Sequence, residues 1–497
     1  MMKIRIKRLK PGLIAAILCG LLFVFLFGIR LDFFQKETHS IPSPLDAVKI
    51  SEKAEKISEK ERWMNIFHQD RKIGYAHRCF KPENNGYCLS ESVYMRINTL
   101  GTIEDIYIQT KGKLHSDLTL ASFAFDLRSN IFHFKCRGKV EGKILTIFVG
   151  KQKSEISIGK ELYLADAVMD AAWISGLEPD KTETFLVFDP TIMGQRPVHV
   201  TMVGRETLNI MGRRQNTKRV SIDFMGASHT AWIGEDGSVV QEEGFMGIKL
   251  KRVSRNEALS DLSVVPSQDL TEMASVASNV PIDRPDELTM LCLKMTGIKE
   301  NLFLDGGRQT FENGILTICK EDIPEPSDIY ASEKESLIKS RLQEPTPFIQ
   351  CDHPKIRKKV SELISTDDLP PAKARKLIAW IYKNIEKRPV LSVPNALETL
   401  ENRMGDCNEH AVLLAALARA AGIPAQIEAG LVYAKGRFYY HAWNVLYLGK
   451  WITADSLMGQ LPADVTHIRL VRGEPDCQMD LIGVIGKVKL EILEQSR

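Results

Sequence analysis

The hydrophobic residues of this chain change period once, near residue 350, and that change fixes most of what it can fold into. From Trp63 to about Val253 apolar side chains alternate with period two in short runs set off by turn residues. Ile144-Leu145-Thr146-Ile147-Phe148-Val149 follows Glu141-Gly142, and Thr230-Ala231-Trp232-Ile233 precedes Asp236-Gly237. This predicts an antiparallel β domain. One helix is predicted within it, near Ala165 to Ser175, stopped by Gly176 and followed by Pro179. Trp63, Phe67, Tyr75, Phe123, Phe125, Phe132 and Phe134 are read as its core rather than as a ligand lining, because alternation already accounts for them.

Strand-like runs continue over residues 255–345, as in Leu288-Thr289-Met290-Leu291-Cys292-Leu293 and Ile315-Leu316-Thr317-Ile318. Helical periodicity then takes over. Asp367-Asp368-Leu369-Pro370-Pro371 starts a helix in which Ala374, Leu377, Ile378, Ile381, Tyr382 and Ile385 share one face. At 497 residues the chain is too long for one hydrophobic core, so two or three domains are expected. Its 66 basic and 63 acidic residues leave a net charge of +3, with no long basic run outside the N-terminus, and no nucleic-acid partner is expected.

Lys3, Arg5, Lys7, Arg8 and Lys10 precede an uncharged apolar stretch from Leu13 to Ile29, closed by Arg30. Its length covers about 25 Å as a helix, short for a hydrocarbon core of about 30 Å, but Arg30 can snorkel and Phe33 and Phe34 can sit at the interface. The stretch reads as a retained signal-anchor. A cleaved signal peptide is the competing reading, and no Ala-x-Ala-like site follows the run. The basic residues place the N-terminus in the cytoplasm and the rest outside it. Of nine cysteines, Cys19 lies in the span, and Cys79 and Cys88 flank the turn-like Pro82-Glu83-Asn84-Asn85-Gly86 either as a hairpin disulfide or as two separate thiols.

The chemistry concentrates in Gly405-Asp406-Cys407-Asn408-Glu409-His410, at the first turn of an apolar helix. Asp406 is placed as N-cap with Glu409 closing a capping box, and Gly422 and Pro424 end the helix. Cys407 then sits where helix-terminal amides and the macrodipole favour a thiolate. Downstream, Ala425 to Val432, Phe438 to Tyr447 and Trp451 to Asp455 read as three strands. If the second turn has an odd number of residues, Asp455 falls opposite Trp443 and on the face of His441; a two-residue turn would place it opposite Asn444, on the wrong face.

These residues, with His441-Ala442-Trp443-Asn444 and Trp451-Ile452-Thr453-Ala454-Asp455, resemble the transglutaminase-like core of bacterial envelope proteins over about residues 350–470. The resemblance implies a papain-like α+β fold with Cys407 as nucleophile, His441 as general base and then acid, and Asp455 as orienter. It departs from the family at Val445 and Ser456, where a Glu and a Pro are frequent. The β-rich half resembles, more loosely, the region that accompanies this domain in similar membrane-anchored proteins, without implying an activity.

The fold expected is therefore α+β. It comprises a basic tail (1–10), a membrane signal-anchor (11–30), a polar spacer (31–60), a β-rich domain (61–255), a second β-rich section with linker (256–345), the transglutaminase-like domain (346–480) and a C-terminal tail (481–497). The implied activity is thiol acyl transfer on an amide or peptide bond of an envelope protein or peptide, by hydrolysis or transamidation, at the extracytoplasmic face of the inner membrane. No cofactor is expected. Cys407 and His410 have half-zinc-site spacing that His441, His467 or Cys477 would have to complete, and the ordered Cys-His-Asp set explains more. Trp443 and Trp451 are read most simply as hairpin packing, with Trp443 near enough to border the cleft as the one candidate substrate-side residue; His410 is read as supporting rather than catalytic, and Asp464 and His467 receive no role. A catalytically idle binding or scaffold module is the alternative.

Overall fold

The computed structural model describes residues 59–497 apart from 100–101, 131, 151, 192, 225–226, 245–246, 261–273, 299–301, 326–341, 389–392, 394, 475–477, 479 and 482. The predicted signal-anchor and most of the spacer lie outside the described residues. Among the described residues no helix is long and apolar enough to cross a membrane. The chain forms two compact units, Phe25–Leu270 and a second that holds Thr271–Arg497.

The first unit is one fifteen-stranded sheet among the described residues. Eight strands from Lys60–His68 to Gln152–Ser157 meander in sequence order, seven more run from Leu162–Leu164 to Ile248–Val253, and the first strand pairs antiparallel with the last. The predicted helix is present as Val168–Ser175, closed by Gly176 in the left-handed region at φ 107°. It carries the one crossover that lets Leu162–Leu164 pair parallel with Thr182–Asp189, against the all-antiparallel expectation. Cys79 faces Ser90 and Cys88 faces Lys81, and both are free thiols, the second of the two readings.

The aromatic residues divide between the faces of this sheet. Phe123, Phe125 and Phe134 are buried. Trp63, Phe67, Tyr75 and Phe132 are only half-buried, which corrects their assignment to the core. Trp63 stacks on His77 at 3.9 Å and begins a row that continues through Tyr75 and Tyr94 to the exposed Tyr107, with centroid spacings of 6.0, 5.6 and 4.9 Å. Strand alternation places residues correctly in two rows, but cannot say which row is covered.

Among the described residues of the second unit four α-helices, Pro354–Leu363, Pro370–Asn384, Ala396–Asn402 and Cys407–Ala420, accompany a five-stranded sheet built on Ala425–Ala434, Arg437–Tyr447, Trp451–Ala454 and Ile468–Gly473. The helix from Cys407 is buried at every residue through Arg419 and packs on the other three helices and on the strands Ala425–Ala434 and Arg437–Tyr447. Each fully buried Leu on it contributes about 1.5–3 kcal/mol, so this helix is the core of the unit. Tyr382, expected on the apolar face of Pro370–Asn384, is instead 44% exposed and lies under Lys387.

Two boundaries need correction. The stretch read as a separate section at 256–345 contributes strands Met290–Thr296, Gln309–Glu312 and Ile315–Cys319 to the second unit. The supposed C-terminal tail supplies Lys489–Ser496, which pairs antiparallel with Met290–Thr296. Gln309 stitches this small sheet to the larger one: its buried amide donates to the carbonyls of Leu304 and Arg469 and accepts the Arg469 N–H at 2.6 Å.

Candidate active site

The helix begins where the sequence places it. Asp406 caps it, accepting the Asn408 N–H at 2.8 Å, while Glu409 reaches back to the Asp406 N–H at 2.9 Å. Gly405 makes room for this box, since a Cβ there would lie 2.3 Å from that of Glu409. The Asp406 side chain also serves the Glu409 amide, and its carbonyl accepts from the His410 amide at 3.1 Å. Asp406 thus serves the Asn408, Glu409 and His410 amides that open the helix.

His441 lies on Arg437–Tyr447, paired with Ala425–Ala434 through a two-residue turn whose Lys435 and Gly436 both have positive φ, 49° and 81°. Opposite His441 sits Gly430, where a Cβ would approach the Ile468 carbonyl to 2.0 Å, so glycine lets the Ile468–Gly473 strand come close. The next turn is Leu448-Gly449-Lys450, three residues long, and pairs Tyr447 with Trp451 and Asn444 with Ala454. One step further Asp455 falls opposite Trp443. This is the odd register, and His441 Nε2 donates to Asp455 Oδ2 at 2.7 Å.

Cys407 meets the same strand, with its sulfur accepting from the Ala442 N–H. The other ring nitrogen of His441, Nδ1, is buried and without a partner among the described residues. Burial and the adjacent Asp406 carboxyl group push the Cys407 thiol well above its ordinary range, against the downward pull of the Ala442 amide. This corrects the expectation drawn from the helix start alone. A thiol that is 1% exposed loses more from dehydration than the helix terminus returns. Burial and Glu409 likewise push Asp406 well above the usual carboxylate range.

Asp455 is fixed on every side. Its backbone N–H and carbonyl exchange hydrogen bonds with Gln460 at 3.0 and 2.8 Å, and Oδ1 accepts from the Met458 N–H at 2.9 Å. Oδ2 accepts a second imidazole, His467 Nε2, at 3.0 Å. Despite burial, His441 and His467 hold Asp455 far below the usual carboxylate range. His467 lies 3.2 Å from Asp464 through Nδ1, and against burial Asp464 and then Asp455 raise it to about 9. His467 and Asp464, given no role from sequence, thus belong to the site. The available signal was the Asp464-Val465-Thr466-His467 spacing, in which one carboxylate caps a turn and reaches the ring three residues on.

Trp443 is 1% exposed and its indole N–H donates to Glu428 Oε2 at 2.8 Å. It packs beside both imidazoles, 5.9 Å from His441 and 5.1 Å from His467. Its burial fits the hairpin-packing reading rather than the substrate-side one. Burial opposes the charge on Glu428, but Arg472 and Arg469 hold its carboxyl below the ordinary range. Ser456, where the family often has Pro, donates its hydroxyl to the His410 carbonyl at 3.2 Å and ties the end of the strand to the helix.

The zinc set does not assemble. His410 Nδ1 donates to the Asp406 carbonyl at 2.7 Å, burial lowers the ring to about 4, and Cys477 lies outside the described residues. His441, Asp455 and His467 offer ligand atoms within 4.8 Å of one another, and in this structure both rings are hydrogen-bonded to the Asp455 carboxylate.

Residues 357–456 match the model of the transglutaminase-like superfamily. The chain carries a transglutaminase-like core. No curated protein sequence matches it. Among solved structures it is similar to a β-barrel-like DUF1849 protein from Brucella abortus, at 11% identity and TM-score 0.32 over 40% of this chain and 97% of that one. It is also similar to a candidate cysteine protease from Cytophaga hutchinsonii, at 17% identity and TM-score 0.27 over 42% and 85%. A third is a DUF1089-family protein from Pseudomonas aeruginosa, at 10% identity and TM-score 0.23 over 42% and 95%. At these scores the three likenesses carry no argument about function. The transglutaminase-like core rests on the family match.

Proposed function

We propose that the chain is a thiol acyl-transfer enzyme in which Cys407 attacks an amide or peptide carbonyl. The observation that carries this is the buried, unpartnered Nδ1 of His441, whose Nε2 is committed to Asp455 and whose strand holds the Cys407 sulfur at the neighbouring amide. An imidazole with one nitrogen oriented and the other bare is equipped to take one proton and return it.

Because burial holds Cys407 as a thiol, the proton passes from Sγ to His441 Nδ1 as the sulfur bonds to the carbonyl carbon, rather than resting on a preformed ion pair. The carbonyl electrons move to oxygen, where the Cys407 N–H at the first position of the helix is the donor that meets the oxyanion. His441 then gives its proton to the departing amine as the carbon–nitrogen bond breaks, leaving a thioester on Cys407. Water or a second amine attacks the thioester, again losing its proton to His441, and restores the thiol. The substrate class is a peptide or protein amide. The basic and apolar N-terminus supports an extracytoplasmic, envelope-facing location, with envelope peptides or proteins as partners.

One observation favours the alternative of an idle binding module: Cys407, His441 and Asp455 are all buried, at 1%, 3% and 1% exposure. Release of ammonia or amine from a peptide library, in the wild type and in Cys407→Ala, decides between them. Catalysis predicts release that the variant abolishes. Equal release from both, or none from either, removes Cys407 from any turnover.

A further inference from the structure

Asp455 accepts two imidazoles on one oxygen, and only one of them is explained by the reaction. Hydrogen-bond counting separates the two rings. His441 has one nitrogen on a carboxylate and one bare. His467 has both nitrogens on carboxylates, Nε2 on Asp455 Oδ2 at 3.0 Å and Nδ1 on Asp464 Oδ1 at 3.2 Å. A carboxylate only accepts, so both His467 nitrogens must carry protons and the ring is an imidazolium.

We propose that His467 is a positioning residue of this site, a fixed cation that clamps Asp455 and withdraws part of its charge from His441. The inference rests on the acyl-transfer reading above and adds to it what sets the basicity of His441.

The surroundings are built to keep that cation in place. Asp464 Oδ1 also takes the Thr466 N–H and hydroxyl at 2.9 and 2.6 Å, and its Oδ2 takes the Gln460 amide at 2.8 Å. Gln460 is also the residue whose backbone pairs with that of Asp455, so one residue ties the Asp464 carboxylate to the backbone that carries Asp455. The groups facing the ring are Asp464 from its own loop, Asp455 from the strand end, and His441 and Trp443 from the neighbouring strand, with centroids at 5.8 and 5.1 Å. From the turn before Gln309–Glu312, Arg308 donates to the His467 carbonyl at 3.0 Å, and pairs with Glu321 at 3.8 Å. On the Cys407 helix the nearby titratable ring, His410, is neutral at physiological pH. Glu428, beyond Trp443, is neutralised by Arg472 and Arg469.

The arrangement has a consequence for the proton transfer. Before it, the buried line reads neutral His441, Asp455⁻, His467⁺, Asp464⁻. After it, the line reads His441⁺, Asp455⁻, His467⁺, Asp464⁻, an alternation with no net charge, in which each cation touches an anion. Without His467 the same step leaves Asp455 acting on His441 alone, which makes His441 a stronger base that releases its proton to the leaving amine less readily.

The test is a ring-nitrogen NMR titration of ¹⁵N-histidine-labelled protein. His441→Gln and His467→Gln assign the two signals among the 11 histidines. His467 is expected to hold both protons through pH 8 in the wild type, and in His467→Gln the His441 titration should move upward by about one to two pH units. The acidic limb of kcat should move the same way with KM unchanged. Asp464→Asn, which retains the ring, serves if His467→Gln does not fold. There the His467 titration should fall toward neutrality and that of His441 should rise with it. The proposal is overturned by a wild-type His467 that loses a proton near pH 6.5, or by a His441 titration that neither variant moves. No substrate enters the titration, so a chain that transfers no acyl group but shows the coupled shifts loses the functional reading and retains this one.

Discussion

Both units of this chain bury charge, and they do so to opposite ends. In the β-rich unit Arg78 and Asp170 form a pair at 5% and 3% exposure, and the same guanidinium donates to the Asp166 carbonyl at 2.6 Å. Across the strands Arg78 lies between Arg62 and Glu91, and burial and Asp166 push Glu91 up to about 8. Here an arginine that never gives up its proton meets acids that have been paired or neutralised. In the second unit the buried charges are imidazoles and carboxylates in a line, and one ring nitrogen at its end is left bare. A buried ionic cluster becomes chemistry only when one of its members can exchange a proton and has a lone pair directed at nothing else. The first cluster organises a fold; the second organises a fold and holds one vacancy.

That contrast can be broken at several points. The largest effect is expected at Asp455→Asn, which disorients His441 and unpairs His467 together and should lower kcat by on the order of 10³–10⁴, with thermal unfolding followed in parallel. Arg78→Met should do the reverse, costing about 3–5 kcal/mol in urea unfolding because Asp170 is left charged and buried. Arg78→Met with Asp170→Leu should recover most of that loss. Equal instability of the single and double variants would contradict the pairing.

A smaller effect belongs to Trp443→Phe, which keeps the ring beside both histidines but leaves Glu428 Oε2 without its donor, at a cost of about 1–3 kcal/mol in the same unfolding measurement. The smallest is a pH dependence of stability. His467 holds its proton up to about 9 in the folded chain against 6.5 for an ordinary histidine. Its contribution is therefore fully present below about pH 6.5 and is lost as pH rises through about 9. Unfolding midpoints from pH 6 to 10 should fall across that window in the wild type and lose this component in His467→Gln. Arg78 titrates far above it, whereas Glu91, raised to about 8, adds a decline of its own that ends near pH 8 and that His467→Gln leaves in place.

The sequence made parts of this account legible because local rules sufficed for them. Asp406 and Glu409 announce the helix start through side-chain-to-backbone bonds within four residues, and the structure repeats them. The register question could be posed from sequence, since side chains alternate strictly, but not answered. Leu448-Gly449-Lys450 had to be counted as turn before Asp455 could be placed opposite Trp443. What stayed hidden depends on long-range packing. His467 reaches Asp455 from a loop twelve residues on, and the local Asp464 spacing marks only one of the two carboxylates that hold it. The Cys407 environment is dominated by dehydration, which a helix-terminus argument does not contain. The C-terminal strand was missed for a different reason. Leu490 and Ile492 alternate with Glu491 in the way that identified strands elsewhere, but its partner Met290–Thr296 lies about two hundred residues upstream.

The most direct test of the central claim is to trap the thioester. Wild-type protein is incubated with peptides of envelope origin, quenched in acid and examined by intact-mass and peptide-mapping spectrometry. A hydroxylamine-labile acyl adduct is expected on the peptide that contains Cys407, and none in Cys407→Ala. Turnover that proceeds with the adduct on another residue, or that survives in Cys407→Ala, would contradict it.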